Sequence, residues 1–240
     1  MTSDKSNRFI KSLGAPVIFI GILVIIQLIS SLIGLQLGVY GIYPRDLTGF
    51  RGVFLAPLLH SGWPHLISNA PPLFFMSVII LYFYRKVGFQ AISMIYILTG
   101  IAVWLFGRSV FHIGASGVVY GLVAFVAFLG IFRRNIKSIA LSLIVIFYYG
   151  SMFVGILPGQ EGISWESHLF GALVGIFVAY WFKGNIEKDE EKRKYSWEEE
   201  EKNLPPRNFF DQDPFEKTKR ERLQDNPENK NDPPKWFSNY

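Results

Sequence analysis

The 240-residue chain has no cysteine and only four histidines. The first absence excludes disulfides, thiol catalysis and cysteine metal sites. Charge is also scarce. Lys, Arg, Asp and Glu make up 18% of the residues, and half of all residues are hydrophobic. Soluble domains carry about 25% charged residues, so this balance points to a membrane. The shortage is local. Residues 1–183 hold 12 of the 24 basic residues and 4 of the 19 acidic ones, a net of +8. Residues 184–240 hold the other 12 and 15, a net of −3, and together they give the formal +5. The basic balance is thus the sum of two unlike regions. No interleaved basic and aromatic pattern points to nucleic acid.

What is present in quantity is long apolar runs. A membrane-spanning helix needs about 20 mainly apolar residues. Six stretches approach this: 16–38, 66–84, 89–106, 115–132, 137–154 and 165–182. The expected fold is an all-α membrane protein with six transmembrane helices. Several stretches are short and rich in glycine and serine, which suits close packing inside a bundle. MTSDKSNRFIKSLG (1–14) precedes a run too long for a signal-peptide core, with no cleavage pattern after it. It reads as a cytoplasmic N-terminus before a retained anchor. The bundle is expected over 15–183. Residues 184–240, with KDEEKRKYSWEEEEK and proline- and asparagine-rich pieces, lack the apolar content for a core and read as a disordered, charged cytoplasmic tail.

Loop charge sets orientation, because Lys and Arg favour the cytoplasmic side. Lys5, Arg8 and Lys11 precede the first stretch. Arg85 and Lys86 follow the second, Arg133, Arg134 and Lys137 separate the fourth and fifth, and Lys183 follows the sixth. The alternate loops are less basic. Both termini are therefore expected in the cytoplasm. Short loops and no organelle-targeting segment favour a bacterial plasma membrane.

The few polar groups inside the stretches then need a reason. His65 and Asn69 start the second stretch, Ser116 the fourth and His168 the sixth. With the orientation above, all four lie in one shallow layer below the outer face. His65 and Asn69 are i and i+4 and share a helix face, as do Ser116 and Tyr120. Gly117 and Gly121 form one GxxxG pair, and Gly171 and Gly175 another. Such pairs allow backbones to approach closely. If the fourth and sixth helices pack through them, Ser116 and His168 fall within hydrogen-bond reach, the arrangement a serine nucleophile requires. Each residue alone also has a plainer reading. Gly-Ala-Ser-Gly is commonly packing, Asn69 can bond a neighbouring helix, Tyr120 can be core, and a membrane histidine can carry protons in a transporter. His60 and His65 lack the i, i+4 spacing and a nearby carboxylate, so no metal is expected.

Three motifs, in order and in the right helices, resemble those of the rhomboid intramembrane serine proteases. They are HSGWPHLISN (60–69), GASGVVYG (114–121) and SHLFGALVG (167–175). The resemblance covers roughly 15–183. It implies that Ser116 is the nucleophile and His168 the base, a dyad without a carboxylate partner. It implies that His65, Asn69 and the Ser116 amide donate to the oxyanion, that Tyr120 stacks on His168, and that Gly114 leaves room for substrate backbone. No cofactor is implied, and the partners are the lipid bilayer and transmembrane protein substrates cut near the outer face. A catalytically inactive rhomboid-like protein that binds membrane proteins is the alternative. One departure is Phe50-Arg51, where the family's first outer loop often carries Trp-Arg. That loop is expected either to lie partly in the outer leaflet, through VFLAPLL (53–59), or to be an ordinary connection. The glycine-rich 155–166 is expected to cover the site, with lateral movement of the fifth helix admitting substrate.

Overall fold

A computed structural model describes residues 2–159 and 164–185, together with 218, 220, 221 and 224. Among them the chain is all-helical. Helix α1 is Thr2–Ile33, α2 is the single turn Gly52–Leu55, and α3 is Trp63–Phe83. Helix α4 is Gly88–Phe106, α5 is Ser116–Arg133, α6 is Ile136–Tyr149, and α7 is Trp165–Phe182. Five of these helices are long and apolar enough to cross a membrane: α1, α3, α4, α5 and, with the 3-10 turns that continue it, α6. The protein is an integral membrane protein. Helix α7 opens with Trp165, Glu166, Ser167 and His168, and these polar groups dilute its apolar content.

The helix limits fall close to the sequence expectation except in α1 and at the end of α6, where 3-10 turns take over after Tyr149. Helix α1 begins at Thr2, so the expected N-terminal extension is helical, and Pro16 lies inside it. A proline costs the helix one hydrogen bond, and α1 runs on through it. The helix ends at Ile33 rather than 38. Gly34 takes a left-handed φ of +68°, and the Leu35 amide returns to the Ser30 carbonyl at 3.0 Å. This is the glycine-terminated helix end in which one residue in the left-handed region recovers an orphan carbonyl.

Most of 184–240 lies outside the described residues, as does the expectation of disorder there. Residues 184, 185, 218, 220, 221 and 224 are the exceptions, and Thr218 makes a local cap. Its amide and hydroxyl donate to the Glu221 carboxylate at 2.7 and 2.8 Å, and the Glu221 amide donates back to the Thr218 hydroxyl at 3.5 Å, a reciprocal cap.

Helix α5 is the central post. Two thirds of it is buried, against a third or less for the other candidate spans. Leu122, Phe125, Val126 and Leu129 on α5 pack with Met76 and Ile80 of α3, Ile95 of α4 and Val178 of α7. Helix α1 and helix α6 keep large apolar side chains outward, among them Ile18, Ile25, Leu143 and Phe147. In lipid such surface needs no covering.

The closest contact in the bundle is α5 against α7, through both glycine pairs. A Cβ on Gly117 would stand 2.9 Å from the Ser167 carbonyl oxygen, and one on Gly121 would stand 3.1 Å from that of Gly171. A Cβ on Gly171 would run into the Gly117 carbonyl, and one on Gly175 into that of Gly121. The two backbones therefore interlock with no side chain between them.

The loop between α1 and α3 is built rather than loose. Ile42 and His112 exchange backbone hydrogen bonds at 2.9 Å each way. The Trp104 indole donates to the Asp46 carbonyl at 2.9 Å, and Arg45 donates to Gly107 and Ser109 at 2.8 and 2.9 Å. In the Phe50-Arg51 pair, Phe50 meets Trp104 edge to face, and Arg51 lies over the Tyr40 ring at 4.7 Å. The α1–α3 loop is thereby fastened to the segment that leads into Ser116.

Gly171→Ala should destabilise the bundle by about 2 kcal/mol, since overpacking typically costs 1–3 kcal/mol. Gly14→Ala, with open space around its Cβ, should be neutral or slightly stabilising. Thermal unfolding in detergent measures both, and equal midpoints would refute the tight α5–α7 approach.

Candidate functional site

Helix α5 starts at Ser116, and His168 stands in the first turn of α7. The glycine contact sets these two helix starts side by side. Ser116 Oγ and His168 Nε2 are 2.8 Å apart. His168 Nδ1 is 2.8 Å from the Gly155 carbonyl oxygen. A carbonyl only accepts, so Nδ1 carries the proton and donates. The lone pair of Nε2 then faces the Ser116 hydroxyl, which donates to it. Tyr120, one turn beyond Ser116, lies flat on the imidazole with centroids 4.1 Å apart and planes 8° from parallel. Its hydroxyl donates to the Met152 carbonyl at 2.7 Å. The 3-10 segment Gly150–Ile156 thus holds both rings through two backbone carbonyls.

These groups open into a cavity of about 980 Å³, also lined by His65, Asn69 and Arg108. His65 Nδ1 is 3.2 Å from Ser61 Oγ. The Asn69 side-chain amide donates one N–H to the His65 carbonyl at 2.9 Å and has a second to give. Gly114 has a φ of +105°, and its amide donates to Ala56 at 2.9 Å. A Cβ there would come within 2.6 Å of the His65 ring, so the close approach of His65 is itself a reason for glycine. Of the residues singled out from sequence, Ser116, His168, His65, Asn69 and Tyr120 line one cavity, Gly114 touches its wall, and the four helix-packing glycines lie between α5 and α7.

Other residues beside the cavity carried no sequence signal. Gly155 and Met152 act through their carbonyls, which no side-chain pattern reveals. Buried His112 lies four residues before Ser116. Its Nε2 donates to the Arg108 carbonyl at 3.0 Å, so Nδ1 accepts from Ser164 Oγ at 2.6 Å. Ser164 in turn meets Ser167 Oγ at 2.6 Å. Arg108 Nε donates to the buried carboxylate of Glu166 at 2.8 Å. Together these bonds join the α4–α5 loop to the first turn of α7, two residues from His168. The glycine-rich covering segment of the sequence reading is described only in part, because residues 160–163 lie outside the described residues. Its Gly155 end is bonded to His168.

A family model described as Rhomboid domain matches residues 48–185, more than half of the chain, from the middle of the α1–α3 loop to just past α7. The chain belongs to the rhomboid family. Uncharacterized proteins of Mycobacterium tuberculosis and Mycobacterium bovis are each 38% identical over 171 residues, which is 68% of this chain and 71% of theirs. A RHOMBOID-like protein 4 of Arabidopsis thaliana is 30% identical over 132 residues, 51% of this chain and 31% of its own. The matched segment holds every site residue named above and leaves out α1.

In this rhomboid, burial holds the His112 imidazole below its usual pKa. Burial, then the neighbouring His65 ring, push His60 down to about 4. The folded chain prefers both rings neutral, while the unfolded chain binds their protons near pH 6.5. Their contribution to stability is therefore present above that pH and is lost as pH falls. The thermal midpoint in detergent should drop between pH 7.5 and pH 5, and His112→Gln should flatten that drop. Parallel pH curves for the two proteins would overturn the assignment to His112.

Proposed function

We propose that this rhomboid is an intramembrane serine endopeptidase that hydrolyses peptide bonds of single-span membrane proteins near the outer membrane face. The observation that carries the reading is the 2.8 Å approach of Ser116 Oγ to His168 Nε2, with Nδ1 committed to Gly155. A serine is a weak nucleophile until a base takes its proton. Here a neutral imidazole has its free lone pair aimed at the hydroxyl.

In this reading Ser116 Oγ attacks the scissile carbonyl carbon and passes its proton to Nε2. The oxyanion accepts from the Ser116 amide, from His65 and from the second N–H of Asn69. The first amides of α5 have no helical partners and add a partial positive charge at the same place. The imidazolium then returns the proton to the departing amine. A water entering through the cavity hydrolyses the acyl-enzyme by the same proton transfers in reverse order. No cofactor takes part. Gly114 keeps one wall slim for substrate backbone.

We read α7 as the sixth span, since it packs along the buried α5 through the glycine pairs. Six spans with Arg and Lys on alternate loops put both termini in the cytoplasm of a bacterial plasma membrane. The dyad, at the starts of α5 and α7, then lies just below the outer face, where irregular polar structure is tolerated because it lines water. Helix α6, the least buried candidate span, is the element whose lateral movement admits substrate.

A fluorophosphonate probe should label the purified protein, and labelling should vanish in Ser116→Ala and fall at least 10³-fold in His168→Ala. Unlabelled, folded wild type would favour the alternative, a catalytically inactive rhomboid-like protein that binds membrane proteins. Labelling that survives Ser116→Ala would identify another serine. Tyr120→Phe, which keeps the stacked ring and loses the bond to Met152, should retain more activity than Tyr120→Ala.

Covalently linking α6 to α3 should stop cleavage of membrane substrates while probe labelling continues. Cleavage that proceeds unchanged would sink the α6 gate.

A further inference from the structure

A second, smaller pocket lies at the end of the bundle away from the dyad. Its volume is about 330 Å³, and Arg8, Lys11, Ser12 and Ala15 of α1 line it with Leu81 of α3 and Arg85 just beyond. Residues 8, 11, 12 and 15 follow the i, i+3, i+4, i+7 pattern, so α1 turns one face to it. Helix α3 runs from His65, at the dyad cavity, to Leu81 and Arg85, at this pocket. The two sites therefore belong to opposite membrane faces. Phe9 of α1 and Tyr82 of α3 meet edge to face at 6.0 Å and fasten the two walls together.

Three features fix the chemistry. Among the described residues the lining holds three cations and no carboxylate. It grades inward from Arg8, Lys11 and Arg85 to Ala15 and Leu81, from charged to apolar. And α1 continues from it as an outward apolar surface, with Val17, Ile18 and Ile25 exposed. Cations at a helix end are expected from membrane topology alone. Topology does not require them to converge on a pocket from two helices. A basic pocket between membrane helices, open to the headgroup layer and continuous with lipid-facing apolar surface, suits an anionic lipid headgroup.

We propose that this pocket binds one anionic glycerophospholipid, its phosphodiester held by Arg8, Lys11 and Arg85 and its acyl chains lying along α1. The lipid ties α1, which lies outside the segment matched by the family model, to the α3 end of the family domain. The site does not depend on whether the chain is a protease.

The test is native mass spectrometry of the full-length protein, carrying Ser116→Ala, released from detergent with phosphatidylglycerol or phosphatidylcholine. The expected result is one retained phosphatidylglycerol and no comparable retention of phosphatidylcholine. Retention should fall at least tenfold in the triple variant Arg8→Gln, Lys11→Gln, Arg85→Gln. It should hold in the equally discharged Arg133→Gln, Arg134→Gln, Lys137→Gln. Lys11→Gln alone should lose about threefold, which keeps the test decisive if the triple variant unfolds. Equal retention of the two lipids, or equal loss in both triple variants, would overturn the proposal. Displacement of the lipid by an equimolar amount of inorganic phosphate would reassign the pocket to free phosphate and overturn it as well.

Discussion

The arrangement depends on one contact, the backbone-to-backbone approach of α5 and α7. In lipid there is no hydrophobic effect to press two helices together, so association rests on close packing and polar contacts. Four glycines let the carbonyls of one helix fill the grooves of the other. Because Ser116 is the residue before Gly117 and His168 the residue after Ser167, whose carbonyl faces Gly117, the separation of the axes also sets the separation of hydroxyl and imidazole. A methyl group at either crossing would widen both together. The same residues therefore serve stability and the geometry of the cavity.

The imidazole is fixed from three sides, each by a different element. Helix α5 supplies the hydroxyl and the stacked ring of Tyr120. The 3-10 segment after α6 supplies the Gly155 carbonyl that selects the tautomer. The first turn of α7 supplies the backbone, braced by Ser164, Ser167, His112 and the Arg108–Glu166 pair. Where a soluble serine hydrolase uses a carboxylate to hold its histidine, this chain presents a backbone carbonyl. A neutral acceptor suits a site among apolar helices, because a second buried charge would cost several kcal/mol in desolvation. Among the described residues, the one buried carboxylate near the site, Glu166, comes with its own cation from the α4–α5 loop.

What was legible in the sequence was whatever repeats or stands out against an apolar background. The apolar runs gave five helices long enough to cross, with ends set mostly within three residues. The isolated polar residues Ser116, His168, His65 and Asn69 were conspicuous because a membrane helix has few reasons to carry them, and the GxxxG pairs named the helices that meet. The α1 limits were misjudged because a proline and a basic segment look like a boundary, yet a helix can run through one proline and out into the headgroup layer. Gly155 and Met152 were invisible because their contribution is a carbonyl, which every residue has. Ser164 and Glu166 were hidden for another reason. Their partners, His112 and Arg108, lie more than 50 residues away, and no local spacing joins them.

The distribution of burial separates the parts that hold still from the parts that meet lipid. Helix α5 is clasped by α3, α4, α6 and α7, whereas α1 and α6 present long apolar faces outward. A rigid centre with loosely held flanks suits a cavity that must keep a 2.8 Å hydrogen bond intact while something large enters beside it. Helix α6 nevertheless cannot be indifferent to the centre. Ser142, midway along α6, bonds the Ala127 carbonyl of α5, while the turns after Tyr149 bring Met152 and Gly155 to the two rings. Any outward swing of α6 is thus held at its middle and coupled at its far end to the residues that orient Tyr120 and His168. Entry and alignment then share a lever. A displacement large enough to break the Gly155 bond would free the imidazole to turn, so in the proposed mechanism the tautomer that takes the Ser116 proton is kept only while that bond holds.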